Sequence, residues 1–449
     1  MVFSLQQLRE SLPELKEGRN LWVGFSGGLD SSVLLHALTR LGLSDRLRPL
    51  HVNHQISPNA NLWQAHCENF CASLNLPLVC EKVSVSNSGR GLEDAAREAR
   101  YQAYLRHLRP GDYLLTAHHR DDQSETFLLR LLRGAGPRGL AAMARERPLG
   151  SGRLLRPLLE VSRAELEAYA REQGLSWVED ESNSNTDYDR NYLRQTLMPM
   201  LRQRWPALDQ RLVTSARLCA ESEELLVELA AQDLAAADPR SERLGQSLNL
   251  ALLMGLSRPR RQNLLRHWLR SLGLDVPEQI HQQQIETQLA GLTPDAEICI
   301  DWGKQSLRVY RQRLYAMPQL VKWQELPEQA FALIPGRSFT LALPDGGQLT
   351  FIWNQSAETP AQVRLKADLG QLRLAWRLGG ERCQPQGRAH SRQLKKLLQE
   401  AGLEPWWRER LPLIYQGETL AAVGDLWVCQ GYAALEEPGY LLHWQAAEA

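Results

Sequence analysis

The chain has 449 residues, of which 43% are hydrophobic and 23% charged, and its 52 Lys and Arg residues balance 52 Asp and Glu residues. This length exceeds the roughly 250–300 residues at which one hydrophobic core stops growing, so we expect two or three domains. The sequence has no apolar run approaching the about 20 residues of a membrane span, no N-terminal signal pattern and no disulfide framework. We therefore expect a soluble cytoplasmic protein without a membrane partner.

The first half of the chain alternates short β-rich runs with helical patterns, which is typical of a parallel sheet covered by helices on both faces. The segment Ser162-Arg-Ala-Glu165 predicts a helix start, because the Ser oxygen and the Glu carboxylate of a capping box bind exposed amides. The density of leucines over 128–132 predicts a largely buried helix. We predict strands at about residues 20–25, 47–54, 77–85 and 112–117.

The pattern changes twice in the second half. From about Trp205 to Leu289 it is helical and rich in alanine and leucine, without strand signals. Beyond Pro294, short alternating runs are punctuated by Gly and Pro, which indicates antiparallel strands in an α+β unit. We therefore predict an α/β fold: a Rossmann-like parallel sheet, then a helical domain and a small α+β C-terminal domain, over residues 1–215, 216–335 and 336–449.

A glycine turn stands between the first predicted strand and the helix that follows it. Glycines let backbone amides approach phosphate oxygens, the helix N-terminus adds a positive dipole, and serine hydroxyls donate to the same anion. Asp30 is then expected to bind Mg²⁺. The turn is not a Walker loop, because the GK[ST] ending is missing, and it lacks the GxGxxG of dinucleotide loops. A purely structural turn is the alternative. The residues concerned are Ser26, Gly27, Gly28, Leu29, Asp30, Ser31 and Ser32.

A second polar cluster follows the strand predicted at 112–117. Ligands of open α/β sheets bind outside the carboxyl ends of strands, so this cluster and the glycine turn are expected to face one crevice. Carboxylates three or four residues apart on the new helix share a face and suit Mg²⁺ or a substrate ammonium group. Helix capping by acids beside exposed histidines is the alternative. The cluster comprises His118, His119, Asp121, Asp122 and Glu125.

Basic residues are segregated in the second half, although the whole chain is balanced. Five Arg residues surround Trp268 in the segment 258–270, which holds no acid, and this composition suits RNA phosphates and base stacking. A solvated helix face is the alternative there. Residues 371–410 hold nine Lys and Arg against four Glu. We expect Trp406 and Trp407 in this stretch to be core residues.

The glycine turn resembles the SGGxDS signature of PP-loop ATP pyrophosphatases, which cleave ATP to AMP and pyrophosphate and transfer the adenylyl group to an oxygen. The segment HHRDDQSETFLLRLLRGAG resembles the HHxDDQxET block, and the leucine-rich stretch after it, of the tRNA(Ile)-lysidine synthetases. Segments His51–His54, Glu93–Tyr104, Asp180–Arg194 and Glu381–Val428 also resemble blocks of this family. The resemblance spans nearly the whole chain and is weakest between about 205 and 370.

The resemblance implies an ATP-dependent carbon–nitrogen ligase that uses ATP and Mg²⁺ and acts on the isoleucine tRNA with anticodon CAU. Such enzymes adenylate the C2 carbonyl oxygen of the wobble cytidine at position 34, and the ε-amine of free L-lysine then displaces AMP. The product, lysidine, changes codon recognition from AUG to AUA. The order of steps is chemically reasonable, because an amide-like oxygen is a poor leaving group until it becomes a phosphate ester.

The matched motif positions imply roles for residues of this chain. The residues expected to hold ATP are Ser26, Gly27, Gly28, Leu29, Asp30, Ser31, Ser32, His51, Asn53 and His54, with Asp30 as the metal ligand. The residues expected to act in catalysis are Asp30, His118, His119, Asp121, Asp122 and Glu125, and which carboxylate meets lysine is left open. The residues expected to contact RNA, with surface ion pairing as the alternative for the arginines, are Arg97, Arg100, Arg190, Arg194, Arg261, Arg382, Arg388, Arg392, Lys395 and Lys396.

Two other functions stay open. One is a PP-loop tRNA thiolase or small-molecule ligase, although thiolases of this kind need cysteine pairs and the chain has no CxxC. The other is a non-catalytic RNA-binding protein with a decayed nucleotide fold, against which the intact Asp30 and the acidic cluster argue. The oligomeric state is also open, a homodimer included. The ligase hypothesis requires residues 26–32 to lie beside the histidine–aspartate cluster.

Overall fold

The structure is a computed structural model that describes all residues except 1–2, 15–17, 86–90, 182–184, 278, 292–297, 321, 323–325, 356–362 and 448–449. The chain divides into two units, Met1–Leu225 and Leu226–Ala449. In the described ranges, no helix is both long and apolar enough to cross a membrane. Pro294, where the sequence predicts a change of pattern, lies outside the described residues.

Six strands form the sheet of the first unit: β1 (Leu21–Gly24), β2 (Leu47–Asn53), β3 (Val79–Lys82), β4 (Tyr113–Leu115), β5 (Glu146–Leu149) and β6 (Gly152–Leu155). Their order is β3-β2-β1-β4-β6-β5, and only the last pair is antiparallel. The first four lie inside the four predicted strands, which confirms the Rossmann-like parallel sheet.

Helices cover both faces of this sheet. Successive residues of a strand point to opposite faces, and accordingly Leu21 and Val23 join one buried cluster while Trp22 joins another. Burial on both sides explains why β1 is continuously apolar. The helices up to the end of the first unit are α1 (Leu5–Ser11), α2 (Leu29–Arg40), α3 (Ala60–Ser73), α4 (Leu92–His107), α5 (Arg120–Leu132), α6 (Pro137–Leu140), α7 (Arg163–Glu172), α8 (Asp189–Tyr192), α9 (Met198–Arg204) and α10 (Leu208–Ala236), the last of which continues into the second unit.

Helix α5 departs from the prediction that its leucines are largely buried. Leu131 and Leu132 are 49% and 71% exposed. The buried part of α5 is instead its polar first half, where Asp122, Gln123, Ser124 and Glu125 are all buried. The prediction was wrong because this helix is held by ion pairs and hydrogen bonds of its polar side chains, which a count of apolar residues does not register.

The second unit begins with a sheet that the sequence did not predict. Between Trp205 and Leu289 the chain is mainly helical, as expected, but β8 lies inside this stretch and pairs with β11, more than 60 residues downstream. A four-residue strand with a distant partner leaves too short a local pattern to recognise. The elements are β7 (Arg240–Ser241), β8 (Gln246–Asn249), α11 (Leu250–Met254), α12 (Arg258–Ser271), α13 (Gln279–Ala290), β9 (Cys299–Trp302), β10 (Gln305–Tyr310) and β11 (Arg313–Pro318).

The rest of the second unit is rich in antiparallel strands, which confirms the antiparallel α+β unit that the sequence predicts. Its two five-stranded sheets have the orders β12-β16-β19-β20-β21 and β13-β14-β23-β15-β22, beside a small β17–β18 hairpin. Trp407 is buried in their core and Trp406 packs against it, as predicted. The elements are β12 (Gln329–Ala332), β13 (Phe339–Ala342), β14 (Gln348–Asn354), β15 (Arg364–Lys366), β16 (Gln371–Ala375), β17 (Arg382–Cys383), β18 (Arg392–Gln393), α14 (Leu394–Glu400), α15 (Pro405–Arg408), β19 (Leu413–Gln416), β20 (Thr419–Val423), β21 (Trp427–Val428), β22 (Ala433–Ala434) and β23 (Gly439–Gln445).

Candidate active site

The glycine turn between β1 and α2 is shaped by its own serines. Ser26 N donates to Ser31 Oγ at 3.3 Å, and the Ser31 hydroxyl donates to Gly28 O at 3.0 Å. The Ser32 hydroxyl is buried and has no hydrogen-bond partner among the described residues. Leaving a buried polar group unsatisfied costs about 1–3 kcal/mol. Among the described residues this hydroxyl is an unpaired donor in the first turn of α2, where the helix N-terminus favours an anion.

Gly27 is required by its backbone angle and by its neighbours. Its φ is +79°, and a Cβ placed there would lie 2.8 Å from Cys67 Sγ. Val178 N donates to Gly27 O at 2.9 Å, which brings the segment after α7 against the turn. The turn is thus enclosed by α3 on one side and by the Val178 segment on the other.

A cavity of about 810 Å³ opens beside this turn. Its volume falls within the roughly 300–1,000 Å³ typical of small-molecule sites. The predicted residues of three strand ends line it together: the turn after β1, His51 and His54 at β2, and His118 and Asp122 after β4. The two clusters that the sequence predicts to face one crevice therefore meet in one cavity.

The residues at the end of β2 line the cavities, and hydrogen bonds fix two of them in place. The His51 ring bonds to Phe25 O through Nδ1 at 3.0 Å, and Asn53 donates to Gln64 Oε1 at 3.0 Å. Burial lowers the pKa of His54 to about 4, helped by the charge of Arg100. His54 is accordingly a neutral wall of the cavity at physiological pH.

A second cavity of about 420 Å³ adjoins the first. The two share His51, His54 and Arg100 among their lining residues. The smaller cavity is also lined by Trp63 and Tyr188, which provide aromatic surface. The pair of cavities offers room for two ligands on either side of a common wall.

His119 stands at the centre of the acidic cluster. Its Nε2 lies 3.4 Å from Asp122 Oδ2 and 3.7 Å from Asp30 Oδ2, and its Nδ1 lies 3.7 Å from Asp121 Oδ2. Burial lowers the pKa of His119, but the carboxylates around it outweigh burial and leave its pKa raised. His119 thus links the glycine turn to the start of α5.

The preceding residue, His118, has a pKa shifted in the opposite direction. Its Nδ1 lies 2.9 Å from Thr116 Oγ1, and burial lowers its pKa to about 3. The Asp122 charge counteracts this shift only in part. His118 therefore presents a neutral ring to the cavity.

Asp122 and Glu125 are bound by two arginines from the segment after α7. Arg190 donates to Asp122 Oδ1 and Glu125 Oε2, both at 3.0 Å, and Arg194 donates to Asp122 Oδ1 at 3.0 Å and Glu125 Oε1 at 2.7 Å. Burial raises the pKa of Asp122, but His119 and Arg190 outweigh it and lower that pKa to about 2. The expected RNA contacts Arg190 and Arg194 thus lie at the candidate catalytic carboxylates.

Asp30 and Asp121 are joined through Arg163. The Arg163 guanidinium donates to Asp30 Oδ2 at 3.0 Å, and its backbone N donates to Asp121 Oδ2 at 2.9 Å. Arg202 donates to Asp121 Oδ1 at 2.8 Å. Burial raises the pKa of Asp30, and the opposing charges of His119 and Arg163 do not cancel this shift. For Asp121 the balance is reversed: burial raises its pKa, but His119 and the Arg163 amide outweigh burial and leave the pKa lowered.

The arginines of α4 reach the same cavity. Arg97 and Arg100 both line it. The Arg97 guanidinium lies 5.4 Å from the centre of the Tyr101 ring. Two of the expected RNA-contacting arginines thus line the same cavity as the glycine turn, where phosphate groups of a nucleotide are equally available to them.

Arg163 and Arg202 are site residues that the sequence analysis missed. Ser162 caps α7 as predicted, with Ser162 N bonded to Glu165 Oε2 at 2.8 Å. Arg163 is therefore the first residue of a helix, where the helix dipole disfavours a cation. That mismatch could have predicted a functional or ion-paired role, because an arginine at a helix N-terminus needs an acidic partner. In the structure this partner is Asp30.

The basic stretch of α12 does not form the expected RNA surface as a whole. Arg261 is buried and donates to Glu286 Oε2 at 2.6 Å, so the prediction that it contacts RNA is wrong in this structure. Trp268 is fully buried and donates to Gln246 Oε1 at 2.6 Å, which removes it as a stacking platform. The sequence of α12 itself contains no acid, but Glu286 of α13 provides the carboxylate that pairs with Arg261.

The C-terminal basic residues are surface residues. Glu400 accepts from Arg388 at 2.9 Å and from Arg392 at 2.8 Å. Lys395 and Lys396 are exposed on α14. Arg382 donates to Ser391 O at 3.0 Å across the β17–β18 hairpin. Five basic side chains against one acid leave this face positively charged.

Three family models match consecutive parts of the chain. A PP-loop domain matches residues 2–201, a TilS substrate binding domain matches residues 248–315, and a TilS substrate C-terminal domain matches residues 372–444.

Curated relatives match the chain nearly from end to end. It is 40% identical to the tRNA(Ile)-lysidine synthase of Shigella flexneri over 442 residues, which cover 96% of this chain and 98% of that one. It is 42% identical to the tRNA(Ile)-lysidine synthase of Serratia proteamaculans (strain 568) over 440 residues, 96% of this chain and 97% of that one. It is 40% identical to the tRNA(Ile)-lysidine synthase of Alkalilimnicola ehrlichii over 444 residues, 98% of this chain and 96% of that one.

Proposed function

The chain belongs to the tRNA(Ile)-lysidine synthase family and is a ligase with a PP-loop ATP-binding domain, and we propose that it joins free L-lysine to C2 of the wobble cytidine of the isoleucine tRNA with anticodon CAU. The observation that carries this proposal is the meeting of the glycine turn and the His119–Asp122 cluster in one cavity. The first step is attack of the cytosine O2 on the α-phosphorus of ATP, with pyrophosphate leaving. The second is attack of the lysine ε-amine on C2, with AMP leaving.

The glycine turn is the proposed binding site for the phosphates of ATP. Its backbone amides, the N-terminus of α2 and the buried Ser32 hydroxyl together provide donors for anionic oxygens. Arg163 lies beside Asp30 at the same end of the cavity, where its charge stabilises the departing pyrophosphate. These contacts orient the α-phosphorus towards the adjoining cavity.

The carboxylates fit Mg²⁺ in the way that nucleotide enzymes bind it. Asp30 and Asp122 approach the same His119 nitrogen and both line the cavity. In the described residues no group of three His, Cys, Asp or Glu side chains is arranged for a metal. Mg²⁺ in such sites is usually held by one or two carboxylates together with substrate phosphates and water. When bound, Mg²⁺ would neutralise phosphate charge, with Asp30 as the proposed protein ligand.

Asp122 and Glu125 are the proposed binding site for lysine. Both carboxylates are buried and already bind two guanidinium groups, which supports a cation-binding role for this position. The ε-amine must lose its proton before it attacks, so the carboxylates suit the α-ammonium group of lysine better. Arg190 and Arg194 must then turn towards phosphate when lysine enters. The neutral ring of His118 orients the attacking amine without competing for the carboxylates.

The adjoining cavity is the proposed binding site for the wobble base. Trp63 and Tyr188 offer aromatic faces on which an unstacked base packs, and Arg100 stands between this cavity and the glycine turn. The basic face of Arg382, Arg388, Arg392, Lys395 and Lys396 is proposed to hold tRNA away from the anticodon. We propose domain ranges 1–215 for catalysis, 216–335 for substrate binding and 336–449 for tRNA binding, and the three matched segments fall inside them.

The test is incubation of the full chain with ATP, Mg²⁺, L-lysine and unmodified isoleucine tRNA of anticodon CAU, followed by mass spectrometry of the nucleosides. We expect one cytidine per tRNA to gain the mass of lysine less one water. Methionine tRNA with the same anticodon is the matched control and should stay unmodified. A cytidine without added lysine in the isoleucine tRNA would sink the proposal. A sulfur added to a pyrimidine instead would favour a thiolase.

A further inference from the structure

Two buried cysteines meet at the base of a surface hairpin in the C-terminal region. Cys383 Sγ and Cys429 Sγ lie 3.0 Å apart, about 1 Å beyond the roughly 2.05 Å length of a disulfide bond. Both thiols are reduced in this structure. Two other cysteines have polar partners: Cys67 Sγ lies 3.4 Å from His51 Nδ1, and Cys299 Sγ lies 3.6 Å from Asp301 Oδ1.

The backbone already holds the two cysteine-containing segments side by side. Gln386 N donates to Val428 O at 2.9 Å, and Gln430 N donates to Gln384 O at 2.8 Å. These two bonds flank a bridge between Pro385 and Cys429. Closing a sulfur–sulfur bond therefore needs a small shift of two side chains rather than a rearrangement of the chain.

The hairpin above this pair carries part of the positively charged face. We call residues 382–393 the basic hairpin; Cys383 pairs with Arg392 across it. Gln384 Nε2 donates to Arg388 O at 2.9 Å, which ties the tip of the hairpin to its base. A bond between the two sulfurs would fix this base to residues 428–430.

We propose that Cys383 and Cys429 form a reversible disulfide in the folded protein, a thiol-modification site that fastens the basic hairpin under oxidising conditions. The oxidant is a hydroperoxide, here hydrogen peroxide. The Cys429 thiolate attacks one peroxide oxygen and releases hydroxide, which leaves a sulfenic acid. The Cys383 thiol then attacks that sulfur and loses its proton, water leaves, and the S–S bond forms. In sum, two thiols and one hydrogen peroxide give one disulfide and two waters.

Two features support this order of events. Hydrogen bonding from Cys383 lowers the pKa of Cys429, burial opposes the shift, and the Gln384 backbone adds to it, so Cys429 ionises first. Both sulfurs are buried, but β17 and β18 have two residues each, and strands this short open locally far more often than the whole unit unfolds. Small oxidants thus reach the pair without global unfolding.

The experiment uses the full chain, fully reduced and then exposed to hydrogen peroxide. Remaining thiols are blocked by alkylation, and the protein is digested without reduction for peptide mass spectrometry. We expect a peptide pair that joins Cys383 to Cys429, lighter by two hydrogen atoms than the two separate peptides and separated again by dithiothreitol. Recovery of both residues as alkylated thiols, as sulfinic acids or linked to other cysteines would overturn the proposal.

Two serine variants provide the controls. Cys219→Ser removes a cysteine elsewhere and should leave the linked peptide unchanged. Cys383→Ser removes the partner, so Cys429 should now be trapped as a sulfenic acid by dimedone. If Cys383→Ser does not fold, hydrogen exchange of the oxidised natural protein decides the matter. We expect exchange in residues 382–393 and 428–430 to slow by roughly tenfold or more on oxidation, and an unchanged rate would contradict a fastened hairpin.

The effect on tRNA rests on the proposed function and is measured separately. A fastened hairpin presents its arginines in one arrangement, so we expect tRNA to dissociate about two- to threefold more slowly from the oxidised protein. A mapped disulfide with an unchanged dissociation rate would remove the hairpin from the tRNA contact and leave the thiol chemistry standing. If the reduced protein forms no lysidine but the disulfide is still mapped after oxidation, the result counts against the proposed function alone.

Discussion

His119 Nε2 lies 3.7 Å from Asp30 Oδ2. Through this contact the first turn of α2 meets the residue that precedes α5, so two motifs far apart in the chain form one site. Three carboxylates lie within 3.7 Å of the ring nitrogens of His119 and, against the effect of burial, raise its pKa. The relationship makes Asp30 sensitive to changes in either motif, and the predictions below begin from it.

Asp30→Asn is expected to lower kcat/KM for AMP formation by roughly 10²–10³-fold or more, because it removes the proposed metal ligand and the partner of Arg163. The measurement is release of AMP and pyrophosphate in the presence of tRNA and lysine. Asp45→Asn changes an exposed aspartate of the same unit and is the matched control. Normal AMP release by Asp30→Asn would remove Asp30 from the site.

Gly27→Ala is expected to destabilise the first unit by about 2–4 kcal/mol, because it adds a collision with Cys67 Sγ to the strain of a positive φ. Gly42→Ala is the control, since Gly42 has a φ of +75° and nothing within 4 Å of the added Cβ. Gly42→Ala should lower the free energy of unfolding by about 1–2 kcal/mol, from backbone strain alone. Denaturant unfolding of both variants measures the difference, and equal losses would show that the close approach does not matter.

His118 and His119 are expected to change stability with pH in opposite directions. The pKa of His118 is lowered from 6.5 to about 3, so its neutral form stabilises the fold above pH 6.5 and this contribution is lost as pH falls. At pH 5 the loss is about 2 kcal/mol. The pKa of His119 is raised, so its contribution is complete below pH 6.5 and is lost as pH rises through the folded value.

Unfolding free energies from pH 5 to 8 for His118→Gln and His119→Gln test this pair. Against the natural protein, His118→Gln should weaken the decline towards pH 5, and His119→Gln should remove a decline towards high pH. Histidine NMR of the natural protein gives a second measurement. Titration of both rings near pH 6.5 would contradict the opposed environments.

Arg261→Ala is expected to lower the free energy of unfolding of the second unit by about 3–5 kcal/mol, because it leaves Glu286 buried without its partner. Arg258→Ala, at the exposed start of the same helix, should change stability by less than about 0.5 kcal/mol. The tRNA affinity of folded Arg261→Ala should stay unchanged. A weakened tRNA affinity with normal stability would return Arg261 to the RNA-binding surface.

Lys395→Ala is expected to weaken tRNA binding and to reduce the slope of log K against log salt by roughly 0.7–0.9, the effect of one lost phosphate contact. Arg388→Ala should act in the same direction but less strongly, because Glu400 already neutralises part of its charge. Arg337→Ala, an exposed arginine elsewhere in the second unit, is the control. Unchanged affinity for both variants would withdraw the tRNA-binding role of this face.

Much of the catalytic framework was predictable from the sequence alone. The four strands, the glycine turn at the start of α2 and the acidic cluster at the start of α5 are each encoded within about ten consecutive residues. Turn formation, helix capping and strand alternation depend on neighbours in the chain, so such patterns can be recognised without a structure. The rule that strand ends share one edge of a parallel sheet then brought the two motifs together.

Other features were decided only by tertiary structure. Arg190 and Arg194 had many acids available to them, and folding brought them to Asp122 and Glu125. The same holds for Arg261, which forms an ion pair with the distant Glu286, and for β8, which pairs with the distant strand β11. Opposite charges and backbone hydrogen bonds are interchangeable between many partners, so a chain specifies which of them pair only through the packing that brings distant segments together.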